Sequence, residues 1–233
     1  VIRIENVSYE IKSKKILENI SLTIRRGEWT AIIGSNGSGK TTLLHIILGA
    51  VRPTSGEVKI GRSKPWELKG RIAEKIGTVF QNPNHQLFGK NVEEEAVLTL
   101  KALGKNGRAD ELLRENGLYK YRGKSPYLLS FGEKRRLNII SAILHNPEIL
   151  ILDEPFIGQD TPNVAKIIRT ILKWWSPKKT VLFVTHDPIL AYKYADRVVR
   201  LEEGRIQEEG GREVAYKVMK QCGADKFEGK LFN

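Results

Sequence analysis

The chain carries one cysteine, Cys222, in 233 residues. A single thiol cannot close an intrachain disulfide, which suits a reducing compartment. Long hydrophobic runs are missing too: nothing approaches the ~20 apolar residues that a membrane-spanning helix needs. There is no internal repeat and no low-complexity linker, which argues against a solenoid or a tethered array. Acidic residues are in deficit, with 27 Asp and Glu against 39 Lys and Arg, for a net charge of +12. Nucleic acid, anionic lipid headgroups and nucleotide phosphates all attract such a charge. The basic residues are spread along the chain, however, with only short runs such as Lys134-Arg135-Arg136. They read as solvated surface, with proximity to a membrane as a minor contributor. With 40% hydrophobic and 28% charged residues, the chain is long and apolar enough to bury a sizeable core.

The opening VIRIENVSYE alternates and carries charge, so it reads as a strand and not a signal peptide. Ile2, Ile4 and Val7, then Ile20, Leu22 and Ile24, mark two early strands. Residues 29–33 form a short apolar run before a glycine-rich turn, and residues 41–48 follow at helical spacing. Further strands are predicted at 56–60, 76–80, 149–152 and 180–185, with a hairpin at 198–201 and 205–208. Helices are predicted at 92–103, 109–118, 131–144, 161–175 and 188–194. The strand at 149–152 is uniformly apolar, as in a buried parallel sheet. The fold class is therefore α/β, with a mostly helical insert between two strand-rich parts. The last twenty or so residues are polar and uninformative.

The turn after residues 29–33 is Gly34-Ser35-Asn36-Gly37-Ser38-Gly39-Lys40-Thr41-Thr42. It satisfies G-x-x-x-x-G-K-[ST] between a strand and a helix, the context that a phosphate-binding loop requires. Glycines let the backbone curl around phosphate oxygens, and successive N–H groups then face the anion at a helix N-terminus. Lys40 is placed to reach the β- and γ-phosphates, and the Thr41 hydroxyl to reach Mg²⁺. Residues 149–155, ILILDEP, add an apolar strand ending in two acids. Two carboxylates at the end of a buried strand are costly without a counter-charge. Mg²⁺ supplies one for Asp153, while strand alternation turns Glu154 the other way, toward an attacking water.

With these motifs in place the chain resembles the nucleotide-binding subunits of ABC transporters over about residues 1–210. Leu129-Ser130-Phe131-Gly132-Glu133 is similar to that family's LSGGQ signature. The resemblance implies a P-loop NTPase core of RecA type, an antiparallel β subdomain, a helical subdomain at about 85–146, and a short extension at 211–233. It also implies roles. Tyr9 stacks on adenine, and Gln81 is the glutamine-loop residue beside the metal and water. Asp160 closes the D-loop, and His186 contacts the γ-phosphate. Together with Ser35, Asn36, Gly37, Ser38, Gly39, Lys40, Thr41 and Thr42, the residues Ser130, Gly132 and Glu133 would contact ATP, the last three on a partner's nucleotide. Glu154, His186 and Gln81 would be catalytic; Thr41, Gln81 and Asp153 would hold Mg²⁺. His45 and His145 read as structural, and Trp174 and Trp175 as packing residues.

The resemblance further implies a head-to-tail dimer with ATP sandwiched between the P-loop of one subunit and the signature of the other. The second subunit would be identical or different. Membrane-spanning transporter subunits and a substrate-binding membrane component would complete the assembly at the cytoplasmic face of the membrane, with no nucleic acid. Phe131 and Glu133 depart from the signature, and Phe131 adds bulk where the partner's phosphate would approach. Residues 79–88, VFQNPNHQLF, are similar to the glutamine-loop region of energy-coupling factor and cobalt/nickel importers, whose cargo is a vitamin or a transition-metal ion. Alternatives are an ATPase of another ABC transporter class and a soluble ABC-type ATPase acting on nucleic acid or ribosomes. A third is a module that holds ATP without hydrolysing it, against which Glu154 and His186 both argue.

Overall fold

A computed structural model describes residues 1–222. Along the chain the strands are β1 (Ile2–Ile11), β2 (Lys14–Ile24), β3 (Trp29–Ile33), β4 (Ser55–Ile60), β5 (Ile76–Val79), β6 (Ile149–Asp153), β7 (Thr180–Thr185), β8 (Arg197–Glu202) and β9 (Arg205–Gly210). The helices are α1 (Lys40–Ile47), α2 (Ile72–Lys75), α3 (Val92–Ala102), α4 (Asp110–Glu115), α5 (Phe131–Leu144), α6 (Thr161–Trp174), α7 (Pro188–Tyr194) and α8 (Arg212–Gln221). They form two compact units. The first joins Val1–Lys69 to the chain from Val181, and the second is Gly70–Thr180, inserted within it.

The first unit holds an antiparallel sheet in the order β2-β1-β4 and the parallel run β7-β3-β8, extended by antiparallel β9. The antiparallel sheet follows from alternation: Ile2, Ile4, Val7, Ile20, Leu22, Ile24, Val58 and Ile60 all fall on its buried face. Strand β3 is buried at every position, as a strand covered on both faces must be. Helix α8 differs from the sequence reading, which found nothing at its position. Val214, Ala215 and Met219 are buried along one side of it, and Tyr216 meets Tyr192 of α7 with ring centroids 6.0 Å apart. The many charges around these apolar positions masked a helical period.

In the second unit β5 pairs parallel to β6. The helical part packs around Leu87, Val92, Ala96, Leu113, Leu118, Leu137 and Ile140. Helix α3 is capped by Asn91, whose Oδ1 accepts the Glu94 N–H at 2.9 Å. Its first two N–H groups, on Val92 and Glu93, donate to the Lys124 and Arg122 carbonyls, so the orphan donors of that helix end are satisfied by a following loop.

Candidate functional site

The phosphate-loop sequence folds into a closed turn between β3 and α1. Gly37 and Gly39 take positive φ values of 83° and 104°, and Gly39 is the N-cap of α1. A side chain at Gly39 would meet Leu17 Cδ2 at 2.6 Å and the Ile16 carbonyl at 3.0 Å, so the loop is pressed onto β2 where only glycine fits. Lys40 is buried. Its Nζ donates to the Gly34 carbonyl at 2.9 Å and the Ser35 carbonyl at 2.8 Å, spanning the mouth of the loop. Ser35 is held from the other side by Glu202: its N–H and hydroxyl donate to the two carboxylate oxygens at 3.2 and 2.7 Å. Asn36, Gly37 and Thr41 are exposed, Thr42 is half-buried and Ser38 is buried. The loop therefore brings main-chain N–H groups to a helix N-terminus with an ammonium beside them, the arrangement that suits an anion.

Tyr9 is half-buried on β1 and pairs with Leu17 of β2, the residue on which Gly39 rests. It also lines a cavity of about 470 Å³ with Asn6, Ser8, Lys15 and Thr54. His186 follows β7 directly and is exposed. The next residue, Asp187, caps α7 through its Oδ1, which accepts the Ile189 N–H at 2.8 Å.

In the second unit Asp153 and Glu154 are both buried. Strand β6 stops at Asp153, and Glu154 has φ 46°. The alternation expected from the sequence does not carry as far as Glu154; a left-handed backbone turns its side chain instead. That conformation is strained for a residue with a Cβ, and such strain collects at functional positions. Gln81 is exposed just beyond β5.

Ser130 caps α5. Its hydroxyl accepts the Glu133 N–H at 3.3 Å, and Glu133 accepts the Ser130 N–H at 2.9 Å, a complete capping box. Burial opposes ionisation of Glu133. The hydrogen bonds from the Ser130 N–H and hydroxyl outweigh it, and the carboxyl is held below its ordinary value. Asp160 caps α6 by accepting the Asn163 N–H at 2.9 Å. A side chain at Gly132 would come within 2.8 Å of Gln159 and 3.1 Å of Asn163, so this glycine lets α5 and the start of α6 approach. Phe131 is 42% exposed, and its ring lies next to Gly158.

Three comparisons bear on this arrangement. Residues 17–157 match the family model described as ABC transporter. The chain belongs to the ABC transporter family. It has the P-loop NTPase fold of ATP-binding cassettes. An energy-coupling factor transporter ATP-binding protein, EcfA2 of Thermotoga maritima, is 38% identical over 207 residues, covering 85% of this chain and 76% of its own. The structure of cbiO1 from Clostridium perfringens, described as part of the ABC transporter complex cbiONQ, superposes with a TM-score of 0.79 at 29% identity, over 95% of this chain and 93% of that one. A dimeric ATP-binding cassette, MJ0796, bound to ADP and Pi in a post-hydrolysis state, gives a TM-score of 0.81 at 31% identity, over 91% and 99% of the two chains. Several other curated ABC relatives are much longer, and this chain spans 37 to 38% of their length.

A Mg²⁺ site calls for few protein ligands. Among the described residues no three His, Cys, Asp or Glu side chains gather into a cage. Mg²⁺ ordinarily needs none, because it takes one or two protein ligands and completes its shell with phosphate and water. Asp153, a buried carboxylate at the end of β6, is a ligand of that kind.

Sequence reasoning did not find how residues 78–95 are built. The Gln86 side chain acts as a short strand, accepting the Phe80 N–H at 2.7 Å and donating to the Thr78 carbonyl at 2.9 Å. Glu95, read as one of three helix-start acids, is only 2% exposed. One of its oxygens accepts the N–H groups of Phe88 and Gly89 at 2.7 and 2.6 Å. Tyr127 donates its hydroxyl to the Leu87 carbonyl at 2.8 Å. Phe88 is left 76% exposed, at the rim of an apolar cavity of about 410 Å³ lined by Ile76, Phe80, Leu98, Ala102 and His145. Burial lowers the pKa of His145, which agrees with its reading as a structural histidine. The run Lys134-Arg135-Arg136 is not a surface run: Lys134 is half-buried, and Arg135 and Arg136 are buried.

Proposed function

We propose that this cassette hydrolyses Mg·ATP to power a membrane transporter, as one of two ATP-binding subunits docked on membrane-spanning partners at the cytoplasmic face. The phosphate loop carries the reading. Lys40 already engages two carbonyls at the loop's mouth, and a triphosphate offers it oxygens of full negative charge instead. Residues Ser35 to Thr42 hold the phosphates, and Tyr9 meets the base. Asp153, Thr41 and Gln81 are the residues that would hold Mg²⁺, which when bound neutralises charge developing on the phosphates. Glu154 orients the attacking water and takes its proton. His186 donates to the γ-phosphate. Ser130, Gly132, Glu133 and Asp160 serve the nucleotide of the second subunit, and binding across that interface joins the two cassettes until hydrolysis parts them. These roles belong to one ATPase domain spanning residues 1–210 with a helical subdomain at about 85–146; residues 211–233 are an extension of it.

Within the family the reading is an energy-coupling factor type importer for a vitamin or transition-metal ion. The glutamine-loop segment 79–88 supports it, with Phe88 presented outward on a tightly bonded backbone. So do the names of the EcfA2 and cbiO1 relatives. The test is Glu154→Gln in the full-length protein. Steady-state hydrolysis falls by at least about 100-fold, the range for losing a general base, while ATP still binds and the dimer accumulates on gel filtration. Undiminished turnover would remove Glu154 from its role. For the transport arm, co-expression with genomic neighbours should bring the protein into the membrane fraction with a membrane-spanning partner, and a protein that stays partnerless under those conditions refutes that arm.

A further inference from the structure

Arg135 is fully buried at 0% exposure, on the second turn of α5. Its Nη1 donates to the Phe80 carbonyl at 2.5 Å and its Nη2 to the Gln81 carbonyl. Neighbouring residues of α5 hold the same loop: Lys134 Nζ donates to Asn84 Oδ1 at 3.0 Å, and Asn138 Nδ2 to the Pro83 carbonyl at 3.0 Å. With Gln86 bonded to the Phe80 N–H, the main chain on both sides of Gln81 is pinned, while the Gln81 side chain itself is exposed. The guanidinium also lies in the field of Asp153 and Glu154.

A buried guanidinium is expensive, and its retention calls for a use. Packing alone would be served by an apolar residue of similar size. What a planar guanidinium does, and a point-charged ammonium does not, is present two parallel N–H groups to two successive carbonyls in a fixed fork. Burial lowers its pKa to about 10, which leaves it charged at neutral pH. The same charge offsets the two acids that end β6.

We propose that Arg135 is a positioning residue for ATP hydrolysis, acting through Gln81, whose main chain it clamps, without touching the nucleotide. The proposal rests on the role given to Gln81 above. It joins the start of α5, where Ser130 faces the partner's nucleotide, to the loop that presents Gln81, by side chains of a single helix.

The test is a double-mutant cycle of Arg135→Lys and Gln81→Ala in the full-length protein, reading kcat and KM for ATP. Arg135→Lys keeps the charge and loses the fork. It should lower kcat by about 10-fold, the scale of one charge-assisted hydrogen bond, with KM changed by less than about threefold. In the Gln81→Ala background the same substitution should change kcat by less than about twofold, because the group it positions is gone. A structural defect would instead act equally in both backgrounds, and that additive result overturns the clamp. So does near-wild-type kcat in Arg135→Lys. Wild-type turnover in Gln81→Ala alone would overturn the role of Gln81 and the clamp with it, a failure distinguishable from the additive one. If Arg135→Lys loses its folded circular dichroism spectrum, Arg135→Gln enters the cycle in its place and is judged by the same criteria.

Discussion

Glu95→Ala separates a buried hydrogen-bond clamp from an ordinary helix-start charge. In the folded chain one carboxylate oxygen accepts two N–H groups, from Phe88 at 2.7 Å and Gly89 at 2.6 Å. The Gly89 end is buried and the Phe88 end partly so. Alanine leaves both donors without their acceptor. A buried donor left unsatisfied costs about 1–3 kcal/mol, and a partly wetted one less, so the sum is about 2–4 kcal/mol. The opposing term is small: Glu95 is at N4 of α3, and its loss to the helix dipole is worth only about 0.3–1 kcal/mol. Glu95→Gln keeps an acceptor oxygen without the charge and should fall between wild type and alanine. Urea unfolding followed by circular dichroism gives the stability difference, and hydrogen exchange at Phe88 and Gly89 locates it. A Glu95→Ala protein within about 0.5 kcal/mol of wild type would refute the clamp, since that is the scatter of ordinary surface substitutions.

Two further outcomes follow from the phosphate loop and the signature. Lys40→Ala should weaken ATP binding on the order of 100-fold, from the loss of about 3 kcal/mol in charge-assisted contacts to phosphate, measured with a fluorescent nucleotide; retained affinity would contradict the placement of Lys40. The Glu133 carboxyl is held below its ordinary 4.5 in the folded chain. The stability it confers is thus complete above about pH 4.5 and is lost as pH falls through the lower, folded value. Wild type should lose more stability than Glu133→Gln between pH 7 and pH 3.5 in paired urea titrations, and equal losses would show that the capping carboxylate contributes nothing.

The legible parts of the sequence were those whose signal is local. The phosphate loop is a nine-residue motif that runs from the end of a strand into a helix, and Ser130 with Glu133 is a four-residue cap. Both have the form their spacing requires, because neighbours along the chain supply the partners. The hairpin of β8 and β9 was legible for the same reason. Three features were not. Helix α8 was hidden by its charges, although Val214, Ala215, Val218 and Met219 keep helical spacing. Glu154 was assigned its direction from strand alternation, which lapses where the strand does, at Asp153. The Lys134-Arg135-Arg136 run looked like surface because charge normally is. The partners of Arg135 are carbonyls at Phe80 and Gln81, 55 and 54 residues earlier, and no pattern within α5 announces them.

That last failure shows how the second unit is organised. Residues 80–84 lie outside the strands; the Asn82 carbonyl accepts the His85 N–H, and those of Phe80, Gln81 and Pro83 take donors from elsewhere. Helix α5 supplies them from Arg135 and Asn138, while Lys134 reaches the Asn84 side chain. Arg136, one residue further round, turns to the Asn116 carbonyl at 3.2 Å and to Asn163 of α6. Asn163 also receives the cap of Asp160. One helix therefore fixes the glutamine loop on one side and the start of α6 on another, and it begins at Ser130. A shift of α5 would therefore move Gln81 and Asp160 together. Polar side chains give that linkage a definite geometry, whereas a purely apolar helix face would let the loop slide. The high cost of burying two guanidinium groups is consistent with selection for that geometry over packing.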